Sequence, residues 1–444
     1  MIEKMRKNRY LAIILEPGVM GKGRRAILTA CLLSSVYTYL TGSVLYTAFL
    51  LANDIDMVGV GIVGMIPFLA NIACLFSPML LERFPRRKII LRVSSLISVT
   101  LSIACITLVP NMGLSANGKI VALVVFSFAA SIIAALFSPG YTAWQLNYME
   151  NSIRAEFLSL QQVLQAIFGL GSFLLASIIA QNLRGTPMEY PILLILRWVG
   201  FALAVIVVLL NTSPKEFPYE SAPNLKLTSI VTLPFKSRKF IATMAVAFAW
   251  QISVQLTTSS TDVYLLQNAN VSYTLISLLN LFYVPILILL TPFARRVVVR
   301  FGWMSTFAIF ALLHIPTWVM SACVTAENQA WMYSALRIIQ HIVGVPMNLT
   351  VANFLLVNLP RGNQTVYLSF GTMVSNLGSF LGQALGTALI ALIGDFTFTF
   401  GGILFTAAQQ LYALKILMAV VICVVVLKNK ALFTPGEEND KSLD

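Results

Sequence analysis

The chain reads as an all-α membrane protein: twelve transmembrane helices in two pseudo-symmetric six-helix halves. Three observations predict this. Hydrophobic residues make up 58% of the 444 positions and charged residues only 11%, whereas a soluble chain carries about 25% charged residues. Apolar runs long enough to cross a bilayer recur along the whole length. A short pattern also returns. Asn151-x-x-Arg154, fifteen residues, then Leu170-Gly171-Ser172-Phe173-Leu174 comes back as Asn358-x-x-Arg361 and Leu377-Gly378-Ser379-Phe380-Leu381, every residue displaced by 207. Both copies follow one apolar run and enter another in the same orientation, the mark of a duplicated transporter.

The elements follow in order. Residues 1–25 are basic, but their apolar run, Leu11 to Leu15, is shorter than a secretory signal core. They are expected to form a cytoplasmic N-terminal segment. A run of about 20 apolar residues crosses the hydrocarbon core as a helix. This ruler places spans at 26–51, 57–81, 89–110, 120–145, 157–180 and 191–211, an N-terminal half over 26–211. Residues 212–239 hold four prolines and five lysines or arginines, and read as a central cytoplasmic loop. Six more spans, at 240–265, 272–294, 303–323, 331–357, 366–393 and 409–428, make a C-terminal half over 240–428. The segment 394–408 reads as a loop with a short interfacial helix, and 429–444 as a cytoplasmic tail.

Charge supplies the orientation. With the N-terminus inside, cytoplasmic segments carry 25 lysines and arginines, while the outer loops carry only Lys119 and Arg184. That asymmetry is a strong positive-inside signal. It explains the net charge of +13 without nucleic acid, and an even span count puts both termini in the cytoplasm of a multi-pass plasma (inner) membrane protein. The cysteines Cys31, Cys74, Cys105, Cys323 and Cys423 lie in apolar runs with no paired spacing, so they read as small packing residues.

Between spans two and three the chain reads Pro78-Met79-Leu80-Leu81-Glu82-Arg83-Phe84-Pro85-Arg86-Arg87-Lys88. With twelve spans and a basic central loop, this resembles the major facilitator superfamily, whose loop signature is Gly-x-x-x-Asp-Arg-x-Gly-Arg-Arg. Glu82 stands at the Asp position, Arg83 at the first basic one, and Arg86 and Arg87 at the last two. Pro78 and Pro85 replace the glycines. Arg300-Phe301-Gly302 is a worn second copy. A carboxylate at one helix end can pair with arginines and accept bonds from a neighbouring helix end. Glu82, Arg83, Arg86, Arg87, Arg154, Arg300 and Arg361 are therefore candidates for a conformational latch.

The resemblance also implies a central cavity lined by spans one, four, seven and ten. The residues carry a reading of their own. Gln251, Gln255, Ser259 and Asp262 follow 4, 4 and 3 spacing in span seven, one helix face. Span ten carries Arg337, His341, Gly344 and Asn348, and span one the shorter stripe Ser34, Tyr37 and Thr41. Polar stripes on spanning helices face protein or water, not lipid, although Ser and Thr hydroxyls also bond back to their own helix. The substrate or coupling candidates are Ser34, Tyr37, Thr41, Gln251, Gln255, Asp262, Arg337 and His341. Asp262 is the acidic residue placed within a span, with Arg337 and His341 as candidate partners. It stands about 21 residues, or roughly 31 Å, along its helix, near the outer interface.

Three readings concern other residues. Arg197 and Lys415 lie near the outer ends of their spans, where snorkelling explains both. Trp144 ends span four and reads as an interfacial anchor. Gly378, Gly382 and Gly386 form a smooth face for close helix contact. No Gly-x-x-x-x-Gly-Lys-[Ser/Thr] loop occurs, nor a metal-spaced His, Cys or acidic cluster, so neither ATP-driven transport by this chain, a cofactor nor an enzyme activity is expected. The expected function is secondary active transport of a small polar or amphipathic organic solute by alternating access. The expected partners are that substrate, protons as a candidate co-substrate and the lipid bilayer, with no nucleic acid and a monomeric state. The alternatives are a non-transporting sensor on the same fold, or a drug or lipid exporter.

Overall fold

The protein is described by a computed structural model covering residues 16–433, apart from 82, 83, 85, 150, 218–231, 356 and 361–363. Among the described residues, twelve helices are long and apolar enough to span a bilayer. The first six are Gly18–Leu51, Met57–Phe76, Lys88–Met112, Ala116–Thr142, Leu160–Asn182 and Glu189–Asn211. The second six are Arg238–Gln267, Tyr273–Phe301, Trp303–Ala322, Gln329–Ala352, Val366–Ile393 and Ala407–Lys428. Helices prevail because a backbone in hydrocarbon must bond to itself. Their outer faces stay apolar: Val299 is 87% exposed and Leu392 81%.

Polar side chains mark where several helices start. Asp56 accepts from Gly59 N at 2.8 Å, and Ser272 from Leu275 N at 3.1 Å. Thr406 and Gln409 form a capping box at span twelve. Gly302 closes the tight connection between spans eight and nine with φ +80°, its N–H bonded to Val298 O at 2.8 Å. A side chain is strained at that φ, which gives Gly302 in the worn motif a local reason of its own.

Two sequence expectations are corrected here. Span one begins at Gly18 and carries Arg24 into the protein, where Nε donates to Tyr148 O at 2.8 Å. Residues 398–405 form a β-hairpin, β1 (Phe398–Phe400) with β2 (Ile403–Phe405), instead of an interfacial helix. Gly401 and Gly402 take φ +58° and +79° at its two-residue turn, and Phe398 stacks on Phe405 at 5.2 Å. A Gly-Gly pair flanked by aromatic and β-branched residues is itself a hairpin signal.

The chain divides into two compact units. The first comprises residues 16–54 and 76–217 among those described, and the second 55–75 and 232–433. Span two thus belongs to the second unit, packed on span eleven. In the first unit, span one packs most extensively on spans five and six, and span three on span four. Leu81, Leu91, Trp144, Tyr148 and Phe157 form a buried cluster there. In the second unit, span seven packs on span eleven, and span nine on spans ten and twelve. Its core centres on Trp250, edge-on to Phe307 at 4.8 Å, with Phe307 edge-on to Phe354 at 4.9 Å.

Candidate functional site

Of the spanning helices interrupted among the described residues, spans one and seven each meet a buried cation at the break. Span one breaks at Gly42, between helices Gly18–Thr41 and Ser43–Leu51. The break frees Thr41 O from intrahelical bonding. Arg197 from span six, only 2% exposed, donates to Thr41 O at 3.0 Å and to Thr107 Oγ1 at 2.8 Å. It also reaches Ile103 O at 3.5 Å, inside a π-helical stretch over Thr100–Cys105 of span three. Its guanidinium lies 4.6 Å from the Phe49 ring centroid and 5.0 Å from that of Tyr46, cation–π distances.

The second unit repeats the device. Span seven is interrupted at Leu256–Thr257, between helices Arg238–Gln255 and Thr258–Gln267. Lys415 from span twelve donates to Thr257 Oγ1 at 2.9 Å and Val254 O at 3.4 Å, and sits 5.3 Å from the Trp318 ring. In both units the sixth span of the sequence half brings a cation to the break in the first. Snorkelling is therefore overturned for both residues. Carbonyls released inside the bundle hold each cation there.

Around Lys415 lies a polar cluster drawn from spans seven to ten and twelve. Arg337 donates to Gln340 Oε1 at 2.9 Å and to Asn280 Oδ1, while its Nε is buried without a partner. His341 Nε2 contacts Leu279 O at 3.0 Å, and its ring lies 5.4 Å from that of Tyr283. His314 Nδ1 is buried and unpartnered, its ring edge-on to Trp318 at 5.2 Å. Thr261 Oγ1 and the Tyr412 hydroxyl share a bond of 2.8 Å.

Asp262, next to Thr261, is partly buried. Arg337 is the charge that acts on it, yet Asp262 makes no ion pair within 4.0 Å among the described residues. The Arg337 guanidinium is held by the neutral amides of Asn280 and Gln340.

The remaining stripe on span seven, Gln251, Gln255 and Ser259, keeps one face across the break and meets span eleven, apart from Asp262. Gln251 accepts from Ser379 at 3.4 Å, and Ser259 accepts from Gln383. Gln383 also donates to Gly61 O at 3.3 Å. The buried Gln255 Oε1 has no partner. It borders a void of about 10 Å³ with Ser259, Gln383 and Thr387, about the size of one water. On span one the three residues divide. Thr41 bonds back to Tyr37 O at 2.9 Å, whereas Ser34 and Tyr37 line a cavity of about 340 Å³ within the first unit.

Sequence reasoning missed Asn280, Tyr412, Lys415 and His314 as members of the cluster. Tyr412 and Lys415, three apart on one helix face, carried a usable signal. Trp144 is also corrected. It is 2% exposed and donates to Lys215 O at 3.2 Å, so it secures the start of the central loop instead of anchoring at the membrane interface.

A family model described as the Major Facilitator Superfamily matches residues 27–383. The chain belongs to the Major Facilitator Superfamily. No curated protein matches the chain in sequence. Solved structures share the fold at low identity. A bacterial homologue of the iron transporter ferroportin, in an inward-facing state, gives a TM-score of 0.70 at 12% identity, covering 91% of this chain and 98% of that one. The nucleoside transporter NupG gives 0.60 at 15%, covering 95% and 100%. A D-xylose–proton symporter gives 0.62 at 14%, covering 94% and 98%. The twelve helices, two-half fold and membrane embedding are those of a transporter of this superfamily.

The superfamily's loop signature is only partly described in this member. Glu82, Arg83 and Arg361 lie outside the described residues, and so does the side chain of Arg154. Arg86 is exposed. Arg87 is buried, its Nε donating to Phe84 O at 3.2 Å. Arg300 lies over the ring of its neighbour Phe301 at 5.4 Å. The carboxylate of Glu216 accepts from Arg87 N, and from Lys88 N at 2.9 Å. It caps the helix of span three from the central loop.

Proposed function

We propose that this chain is a secondary active transporter that moves a small polar or amphipathic organic solute by alternating access, with proton coupling through Asp262. The sequence halves 26–211 and 240–428, joined through 212–239, are the bodies we propose to move, a motion that would part span two from span eleven, on which it packs. One observation carries the coupling. Asp262 is an intramembrane carboxylate without an ion-pair contact, in the field of an Arg337 whose guanidinium is bonded to Asn280 and Gln340. Protonating such a carboxylate removes a charge from the membrane interior at little cost to neighbouring bonds. The fold shared with a D-xylose–proton symporter and a nucleoside transporter is compatible with neutral polar cargo. The positive-inside distribution supports cytoplasmic termini.

Flux in proteoliposomes tests this. Under an imposed pH gradient, the parent protein should concentrate its solute, and Asp262→Asn should lose accumulation while retaining exchange of labelled for unlabelled solute. Full accumulation by Asp262→Asn would remove the coupling role. Saturable binding without flux in the parent protein would replace transport by a sensor function.

A further inference from the structure

The first unit holds a half-open cavity of about 340 Å³, within the size range of small-molecule pockets. Spans one, three, four and six line it. It lies near the ends of spans three, four and six that carry Ser94, Gln145 and Asn211, the cytoplasmic ends by charge distribution. No Lys, Arg, Asp, Glu or His is among its lining residues. Arg92, the nearby cation of span three, is engaged with Thr212, its Nε 2.8 Å from Oγ1 and an Nη 3.2 Å from the carbonyl.

The wall carries a definite hydrogen-bond pattern. Ser98 donates to Ala130 O at 2.9 Å, Ser94 to Leu91 O at 3.1 Å, and Tyr141 to Leu91 O at 2.9 Å. With their protons committed to backbone carbonyls, these hydroxyls offer the cavity only acceptor lone pairs. Ser34, Tyr37, Ser138 and Thr142 also line it, and their side-chain hydroxyls have no hydrogen-bond partner among the described residues, so each can donate or accept. Gln145, whose Nε2 lies 3.5 Å from Asn211 Oδ1, adds an amide. Phe137, Tyr37 and Tyr141 add aromatic surface, suited to the apolar edge of a small ring.

We infer that this cavity is a binding site for an uncharged ring compound bearing several hydroxyl groups, the chemistry shared by monosaccharides, cyclic polyols and nucleosides. The fixed acceptors need a ligand rich in O–H donors, and the adaptable hydroxyls meet its oxygens. A charged ligand would exchange part of its hydration for a lining without a charged residue, with Arg92 outside the lining and bonded to Thr212, which is unfavourable. The site lies wholly within one unit and includes spans three and six, so it is distinct from the charged cluster of the second unit.

The test is direct binding to the purified full-length protein in detergent, independent of flux. Glucose, myo-inositol and uridine are compared with glucose 6-phosphate, glucuronate and uridine monophosphate, by thermal stabilisation and then by scintillation proximity with the tritiated compound. At least one neutral compound should bind saturably at millimolar concentration or below, at least tenfold tighter than its charged counterpart. Ala134→Trp, which places an indole in the cavity, should abolish that binding. Tyr37→Phe, which removes one hydroxyl that has no protein partner, should weaken it about tenfold. The inference is overturned if no neutral compound binds, if a charged counterpart binds more tightly, or if Ala134→Trp retains parental affinity. Should Ala134→Trp fail to fold, undiminished binding by Tyr37→Phe together with Ser98→Ala overturns it equally. Because no transport is measured, either result stands apart from the outcome of the proteoliposome assay.

Discussion

The glycine stripe on span eleven yields a graded test of how closely two spanning helices approach. A β-carbon at Gly386 would lie 2.0 Å from Leu256 O, at Gly382 2.5 Å from Ile252 O, and at Gly378 2.7 Å from Phe248 O. These fall roughly 1.4, 0.9 and 0.7 Å inside the 3.4 Å at which ordinary contact begins. Each obstructing atom is backbone, so none can swing aside, and span eleven must move from span seven. Overpacking costs about 1–3 kcal/mol, and we place Gly386→Ala at the upper end and Gly378→Ala at the lower. The control comes from the internal repeat. Gly171 is the counterpart of Gly378 at the 207-residue displacement, yet an added β-carbon there meets nothing within 4 Å. Gly171→Ala should be neutral or gain up to about 1 kcal/mol from helix propensity. Unfolding midpoints of the four purified variants in one detergent should rank Gly386→Ala lowest, then Gly382→Ala, then Gly378→Ala, with Gly171→Ala at or above the parent. A flat series, or a loss at Gly171 equal to that at Gly386, would refute carbonyl approach as the cause.

Further expectations concern buried polar contacts. Arg197→Met should strand Thr41 O, at about 1–3 kcal/mol for one unsatisfied buried group, while Ile103 O and Thr107 Oγ1 keep their own bond of 2.6 Å. Its folded yield should fall sharply, with Arg197→Lys intermediate because an ammonium lacks the planar fork; parental yield and unfolding midpoint in Arg197→Met would show these bonds to be dispensable. Lys415→Met should weaken the corresponding site, read as faster hydrogen exchange at Leu256 to Ser260, and unchanged exchange there would contradict the role given to the lysine. Trp144→Phe removes one bond, to Lys215 O, worth about 1 kcal/mol. Faster protease cleavage within the central loop is expected, and a parental rate would return Trp144 to plain packing.

The sequence by itself determined the number of spans, their approximate limits and the superfamily. Each of these depends on one helix against one solvent: a backbone in hydrocarbon must satisfy itself, and about 20 apolar residues reach across. Span eleven was placed at 366–393, the limits of Val366–Ile393. The hairpin at 398–405 was also legible, since Gly401-Gly402 announces it. Tertiary structure alone decided which polar groups meet. Arg197 finds its hydroxyl acceptor 90 residues away and Lys415 its own 158 residues away. Hydropathy counts a charge near a helix end as bound for water, and cannot see that a neighbouring helix has broken and released carbonyls to hold it. The repeat has the same limit. It matches Gly171 to Gly378, but only the packed bundle gives one open space and the other a backbone at 2.7 Å. Span two likewise precedes the halfway point in sequence and packs in the second unit, because contact is a property of surfaces and not of order along the chain.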